Sequence, residues 1–362
     1  MRRSGVALVG WVIADQLEAS PWLGRINTGV GGVGLARLHW IKKRVNANEQ
    51  FGLRYEVYKP WRRYDALIFL KSMGVNARKL SQKYLDREKP VIFDANVNYY
   101  DSIGVSHYDG MLPTETQCRD AVSITEQASG VIADSKYISE RCKSMNKVVR
   151  WIPDNVETSL THPLLKSRLA GPIRLVWSGV PVKLFELLKI ENQLRQYAKY
   201  YDLNLITTDL TSLSRWRKEY RVRFEKLLAD INAHVTPYTD ISSLFDIYSN
   251  SDVVLAPRFL DNSYNLGHTE WKITLAMACG CVALASPVPS YCDVQKVSHG
   301  DEVMLCSSEE EWSAAFDGLV NHGVGIDRRH RAYQIVDQHY SSRVIAEKHV
   351  DYIKEVMSRT GN

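Results

Sequence analysis

A chain of 362 residues with 45% apolar and 24% charged side chains and a formal charge of +5 has the balance of an ordinary folded protein, long enough for two domains of about 150 to 180 residues. That balance excludes a disordered or low-complexity chain, and no run approaches the ~20 apolar residues a helix needs to span a bilayer. The charge is uneven, because residues 1–89 hold 17 Lys+Arg against 7 Asp+Glu and the rest of the chain is net acidic. The basic excess reads either as a solvated surface or as a face for an anionic membrane or a phosphate-bearing acceptor. No nucleic-acid partner is expected. The six cysteines (Cys118, Cys142, Cys279, Cys281, Cys292, Cys306) form no CxxC pair, so they read as reduced thiols of a cytosolic protein, and no metal site is expected.

At the start, two arginines precede an apolar run. The run is short, meets Asp15 and lacks a small-residue cleavage pattern, so it reads as a first buried strand over 6–13 rather than a signal peptide. The next loop carries Pro21, Trp22 and Arg25, then Gly29-Val30-Gly31-Gly32-Val33-Gly34. A helix follows, with Leu35, Leu38, Ile41 and Val45 as its apolar stripe and Arg37, Lys42, Lys43 and Arg44 largely off it. Strand-like segments at 53–58, 66–70, 91–95, 130–134 and 148–153 alternate with helical ones near 76–87 and 113–128. This rhythm implies a parallel sheet.

By letter, Gly29-x-Gly31-x-x-Gly34 matches the dinucleotide fingerprint. Some fifteen residues separate it from the first strand, however, and the acidic residue about twenty further on, Glu56, falls in mid-strand, so the nicotinamide reading is set aside. Around the end of the strand at 91–95 lies a polar cluster of Asp94, Asn96, Tyr99, Asp101 and His107. It is expected to face a cleft, and serves either sugar contact and acceptor activation or capping and turns.

Residues 161–172, with two prolines and a glycine, break the rhythm and form the expected linker. It divides a first domain (1–160) from a second (173–335), with 336–362 as a closing helix. After the linker the alternation restarts: strand 173–179, helix 183–201, strand 203–207, helix 214–230, strand 231–237, helix 240–250 and strand 252–257. The segment 256–291 follows, and it differs from what precedes it. Arg258 to His268 is an irregular polar loop with Arg258, Asp261, Asn262, Tyr264, Asn265 and His268. Thr269 is a good N-cap for a helix with Glu270 in its first turn, Lys272 one turn in and Gly280 as its stop. Cys281 to Ala285 then reads as a buried strand ended by Ser286-Pro287. A loop, a helix start and a following strand form an anion site, since free N–H groups and the positive dipole end face the ligand.

This segment resembles the donor site of GT-B-fold glycosyltransferases of the retaining group 1 (family 4-like) type. The likeness rests on His268-Thr269-Glu270-Trp271-Lys272, on Ala276-Met277-Ala278-Cys279-Gly280 and on Ser286-Pro287-Val288-Pro289-Ser290-Tyr291. It is continuous from about residue 130 to the end and weak before that. It implies two Rossmann-like domains facing across a cleft, with the last helices, about 329 to 357, crossing back onto the first domain. It also implies transfer of a sugar from a nucleotide-diphosphate donor to a saccharide or lipid-linked acceptor with retention, in glycan or polysaccharide biosynthesis. No cofactor is expected beside the donor, and the expected place is the cytoplasm, at the inner face of a membrane if the basic excess serves one.

For individual residues, the resemblance sets Gly179 and Lys183 at the diphosphate, where the family has Gly-Arg and a later Lys. No arginine stands in that loop, and Arg258 or Lys272 supplies the missing charge. Asn265, His268, Thr269 and Glu270 belong to the same donor segment, Tyr238 is set near the base, and Gly31 and Gly32 lie in a loop that lets backbone approach the donor phosphates or the acceptor. Asp94 and His107 are assigned to acceptor and sugar. The sequence departs from the family at Gly267 and Leu275, where relatives carry two glutamates with seven residues between them, the second of which holds the donor ribose. That departure sets an alternative beside the enzyme: a catalytically silent protein of the same fold that binds a sugar nucleotide or glycan. A phosphorylase or an epimerase is a further option.

Overall fold

The computed structural model describes residues 5–13, 34–163, 171–208, 210, 213–214 and 216–360. Gly31 and Gly32, most of the glycine-rich loop and most of the expected linker lie outside the described residues. The apolar runs form two parallel six-stranded sheets. The first contains β1 (Ala7–Ile13), β2 (Leu53–Val57), β3 (Ala66–Leu70), β4 (Val91–Ala95), β5 (Gly130–Ala133) and β6 (Val149–Trp151), in the order β2-β1-β3-β4-β5-β6. The second contains β7 (Ile173–Ser178), β8 (Tyr201–Thr207), β9 (Ala233–Pro237), β10 (Val253–Ala256), β11 (Val282–Ala285) and β12 (Val303–Leu305), in the order β12-β11-β10-β7-β8-β9. Every strand pairing among the described residues is parallel.

Strands such as Ala66–Leu70 and Val253–Ala256 are buried along their whole length, as expected of parallel strands covered on both faces. The strand order reverses beside β1 and β3 in the first sheet and beside β7 and β10 in the second. Open α/β sheets bind ligands at such switch points, outside the carboxyl ends of the strands.

Each sheet has a core on both faces. On one face of the first sheet, Leu38, Ile41 and Val45 pack with Ile345, Val350, Ile353 and Val356 of the closing helix Ser342–Thr360 against Val9, Tyr55 and Ile68. The end of the chain therefore completes the first domain, and each buried Ile or Val of that helix contributes about 1.5 to 3 kcal/mol. The helix Ile326–His339 packs on the second sheet through Ala332, Ile335 and Val336.

Several sequence expectations need correction. Arg37 does not lie off the apolar stripe: it is 3% exposed and its guanidinium pairs with Asp94 at 2.9 Å and Asp154 at 3.3 Å. A turn of π-helix over Leu35–His39, running into Trp40–Ala47, rotates it inward. The helix expected over 183–201 is a 3-10 segment, Pro181–Ile190, followed by the short α-helix Glu191–Gln196. The loop after Arg258 contains a helical turn, Ser263–Leu266, capped by the Asn262 side chain accepting from the Asn265 N–H. Thr269 is not an N-cap; the next helix is Trp271–Met277, with Glu270 at the cap position and no side-chain cap. Gly280 does stop it, at φ +86°, a conformation glycine adopts without a Cβ penalty.

Candidate functional site

The carboxyl ends of the two sheets face a cavity of about 520 Å³, lined from both domains and within the usual size range of small-molecule sites. A second hollow of similar volume, about 540 Å³, opens near the strand starts Ile173 and Tyr201, with Lys199 as the one cation on its wall among the described residues. The first is the stronger candidate because it lies at both switch points and charged groups converge on it.

The second-domain wall is basic. Gly179 follows β7, Lys183 lies in the next helical segment, Arg258 follows β10, and Lys272 is in the first turn of Trp271–Met277; all four line the cavity. Arg258 is fixed through its backbone, whose N–H donates to Ser286 Oγ at 2.8 Å. Glu186 accepts from the Phe259 N–H and from Asn265 Nδ2, both at 2.8 Å, which ties the loop to the first helical segment. The Arg258 Nη1 lies 3.5 Å from Glu186, while Nε and Nη1 find no hydrogen-bond partner among the described residues.

Lys183 Nζ donates to His268 Nε2 at 2.9 Å and sits 5.1 Å from the Tyr264 ring centroid. Lys272 Nζ lies 4.2 Å from the Trp177 ring centroid. A Cβ on Gly179 would come within 3.1 Å of that Trp177 ring and 3.6 Å of Lys272 Nζ, so glycine keeps this stack open. Burial, then the charges of Arg258 and Lys183, hold Lys272 well below the usual lysine range. Burial also lowers Lys183, with Arg258 adding to the effect. Burial and Lys183 hold His268 well below 6.5, which keeps it a neutral acceptor for the Lys183 ammonium. Crowded, desolvated cations of this kind are relieved by an anion.

Beside the basic wall the cavity is apolar, with Ile206, Tyr238, Ile241, Leu244 and Leu275. The facing first-domain wall carries Lys71, Asn96, Val97, Asp134 and Asp154. Asn96 Nδ2 and the Val97 N–H both donate to Asp134 Oδ2, at 2.7 and 3.2 Å, and Oδ1 has no partner among the described residues. Burial, then Asp154, pushes the Asp134 carboxyl well above the usual range. Lys71 and Val97 hold left-handed backbone, at φ +55° and +85°. Such conformations are uncommon for side-chain-bearing residues and gather at functional sites.

The structure thus brings Gly179, Lys183, Tyr238, Arg258, His268, Thr269 and Lys272 to one cavity. Four other sequence assignments fall elsewhere. Asp94 is sealed beneath the cavity in its ion pair with Arg37. His107 stacks on Phe185 and Phe259, at 5.0 and 4.8 Å between centroids, and its Nε2 meets Asp261 at 3.1 Å; it belongs to the contact between the domains, since Gly104 bridges Asn262 there. Asn265 is fully buried, holding Glu186 and the Phe259 carbonyl. Glu270 is 1% exposed and its Oε1 accepts from the Asp154 N–H at 3.0 Å, so it staples the domains together rather than facing a ligand.

Lys71, Asp134 and Asp154 line the cavity without having been singled out by their chemistry in the sequence, and Tyr264 lines it from the polar loop named there. Lys71, Asp134 and Asp154 stand just after β3, β5 and β6, and that position at the end of a parallel strand is the signal that marks them.

No family model matches the chain, and no curated protein matches it. Solved structures do. HepE of Anabaena, solved in complex with UDP and glucose, superposes with a TM-score of 0.66 at 16% identity over 96% of this chain and 100% of that one. The sucrose-phosphate synthase of Thermosynechococcus elongatus gives 0.61 at 15% identity over 82% and 74%. AviGT4, a glycosyltransferase involved in avilamycin A biosynthesis, gives 0.60 at 11% identity over 97% and 98%. These likenesses establish the fold: two Rossmann-like domains in the GT-B arrangement, as the sequence led one to expect.

Proposed function

We propose that this chain is a glycosyltransferase that moves a sugar, with retention, from a nucleotide-diphosphate donor to a saccharide or lipid-linked acceptor, without a metal ion. The observation that carries the reading is the convergence of Lys183, Arg258 and Lys272 on one end of a cavity between two Rossmann-like domains. A diphosphate fits that end. The apolar strip at Tyr238, Ile241 and Leu244 fits the base, and the sugar then extends toward the first-domain wall. HepE has been solved with UDP and with UDP-glucose, which makes a uridine nucleotide the first donor to test.

The chemistry follows from charge. As the bond from the anomeric carbon to phosphate oxygen breaks, negative charge builds on the departing diphosphate. The acceptor oxygen bonds to the same face of that carbon, and its proton passes to the leaving phosphate oxygen. Preorganised cations and helix N–H groups lower that barrier without covalent participation, and the two domains supply the alignment. No carboxylate beyond those named is needed for this step.

The basic excess of the first domain supports contact with an anionic membrane at the cytoplasmic face. Trp61 is 76% exposed and is flanked by Lys59, Arg62 and Arg63, a pairing of aromatic and cationic groups suited to a lipid interface.

A thermal-shift panel of UDP-glucose, UDP-galactose, UDP-N-acetylglucosamine, GDP-mannose and ADP-glucose, with their free diphosphates, tests the reading. A ligand at a hundred times its dissociation constant stabilises the fold by about 2.7 kcal/mol, and a panel that leaves the melting temperature unmoved throughout ends the proposal. The second reading, a silent binder, is favoured by Gly267, where the resemblance sets a glutamate. Slow donor hydrolysis without acceptor marks the enzyme, and its absence marks the binder.

A further inference from the structure

Lys71 stands at the end of β3, beside the switch point of the first sheet, and it lines the cavity opposite the second-domain cations. Three observations on it do not fit a structural role. Its backbone is left-handed, at φ +55°, a conformation that glycine takes freely and a side chain resists. Its ammonium makes no hydrogen bond or ion pair among the described residues; the one bond its residue forms is from the backbone N–H to the Asp94 carbonyl, at 3.3 Å. Burial lowers its charge affinity, with Tyr264, Asp134, Asp154 and Asp94 pulling the other way. A lysine at a glycine-type position, desolvated and without a hydrogen bond or ion pair among the described residues, carries a cost that a bound anion would offset.

The surroundings indicate what it serves. Lys71 is within electrostatic reach of Tyr264 and His268 across the cavity, and His268 holds Lys183. Lys71 thus lines, from the first domain, the same cavity that Lys183, Arg258 and Lys272 line from the second. We infer that Lys71 binds the distal phosphate of the donor's diphosphate from the first domain, closing a four-cation clamp with Lys183, Arg258 and Lys272. The inference rests on the glycosyl-transfer reading above. Its consequence is that the diphosphate, rather than the base, draws the two domains together, because Lys71 is the clamp's contribution from the other sheet. Lysine suits this task as a compact point charge on a flexible stem.

The test uses the full chain and the substitution Lys71→Gly, which removes the amine and suits the left-handed backbone. The variant is expected to melt no lower than the parent. Its affinity for UDP, or for whichever diphosphate of the panel the parent binds most tightly, is expected to fall at least tenfold, while affinity for the matching monophosphate stays within twofold. Lys71→Arg, which keeps the charge, is expected to restore at least part of the diphosphate affinity. Equal loss for mono- and diphosphate, or unchanged diphosphate affinity with only transfer impaired, overturns the inference, the latter placing the amine on the acceptor. A Lys71→Gly protein that melts well below the parent also overturns it, since the side chain would then be structural. A parent that binds no nucleotide of the panel fails at the earlier reading, and the inference falls with it.

Discussion

A Cβ added at Gly267 would lie 2.6 Å from the Cβ of Asn98, across the boundary between the two domains. Gly267 lines the cavity, and it occupies the position at which the resemblance sets the first of two glutamates. The close approach is held by Asn98 Nδ2, which donates to the Ser263 carbonyl at 3.1 Å. A side chain at 267 therefore requires Asn98 and the backbone that carries it to give way, so a carboxylate there does not fit this arrangement.

Gly267→Ala is therefore expected to destabilise the chain by about 1 to 3 kcal/mol, the usual cost of overpacking. Asn98→Gly in the same chain should recover part of that loss although it is destabilising alone, because it removes the facing Cβ. Urea midpoints of the two single variants and the double give the coupling; additive losses would mean that the two positions do not clash. Gly267→Glu, which installs the residue the resemblance sets there, is expected to lose donor binding rather than improve turnover.

Glu270 gives a pH prediction. Burial, then Asp154, raises its carboxyl well above the usual value. A group whose folded pKa is raised binds its proton more tightly in the folded chain than in the unfolded one. Stability from this group is therefore present below about pH 4.3 to 4.5, the unfolded value, and falls as pH rises toward the folded value. Glu270→Gln copies the neutral acid and keeps an acceptor for the Asp154 N–H. Its stability relative to the parent should grow with pH from about 4.5, by at most about 1.4 kcal/mol per unit, while donor affinity stays within about twofold. A stability difference independent of pH between 4.5 and 7 would rule the account out.

The strands were legible because parallel strands are buried on both faces and read as unbroken apolar runs, as at Ala66–Leu70 and Val253–Ala256. Of the second-domain cations, Lys183 and Lys272 were legible through resemblance, with Gly179 beside them, and Arg258 through the polar loop it opens. What the sequence hid depended on depth. Arg37 sits among charged neighbours on an amphipathic helix, and only a turn of π-helix and two aspartates 57 and 117 positions away draw it into the interior. Glu270 and Asn265 are polar residues in a ligand-binding segment, yet their partners lie in Asp154 and Glu186, far along the chain. Asp134 and Lys71 read as ordinary strand-end residues until the domains face each other.

The exposed Trp61 and its basic neighbours carry the membrane prediction. Binding of the chain to vesicles with anionic lipid should fall steeply between low and physiological salt, where charges are screened beyond about 8 Å. Trp61→Ala should weaken binding at both salt concentrations, because the loss is apolar rather than electrostatic. Equal binding to neutral and anionic vesicles would return the basic excess to a solvated surface.

Lys272 separates the functional reading from a merely structural basic cluster. Its amine stacks on Trp177 in the first turn of a helix and is held well below the usual lysine range by burial, Arg258 and Lys183. A diphosphate would reverse that balance, because its charge favours the ammonium form. Binding should then take up a proton wherever the pH lies between the free and bound values, and affinity should fall as pH rises through that window. Calorimetry of UDP binding in buffers of different ionisation enthalpy reads the uptake directly. Lys272→Met should reduce it, the remainder coming from Lys183 and His268, which burial also lowers, and Lys272→Ala should lower turnover roughly a hundredfold, as the loss of one preorganised charge-stabilising donor does. If Lys272→Ala binds and turns over donor as the parent does, the start of this helix is not the diphosphate site.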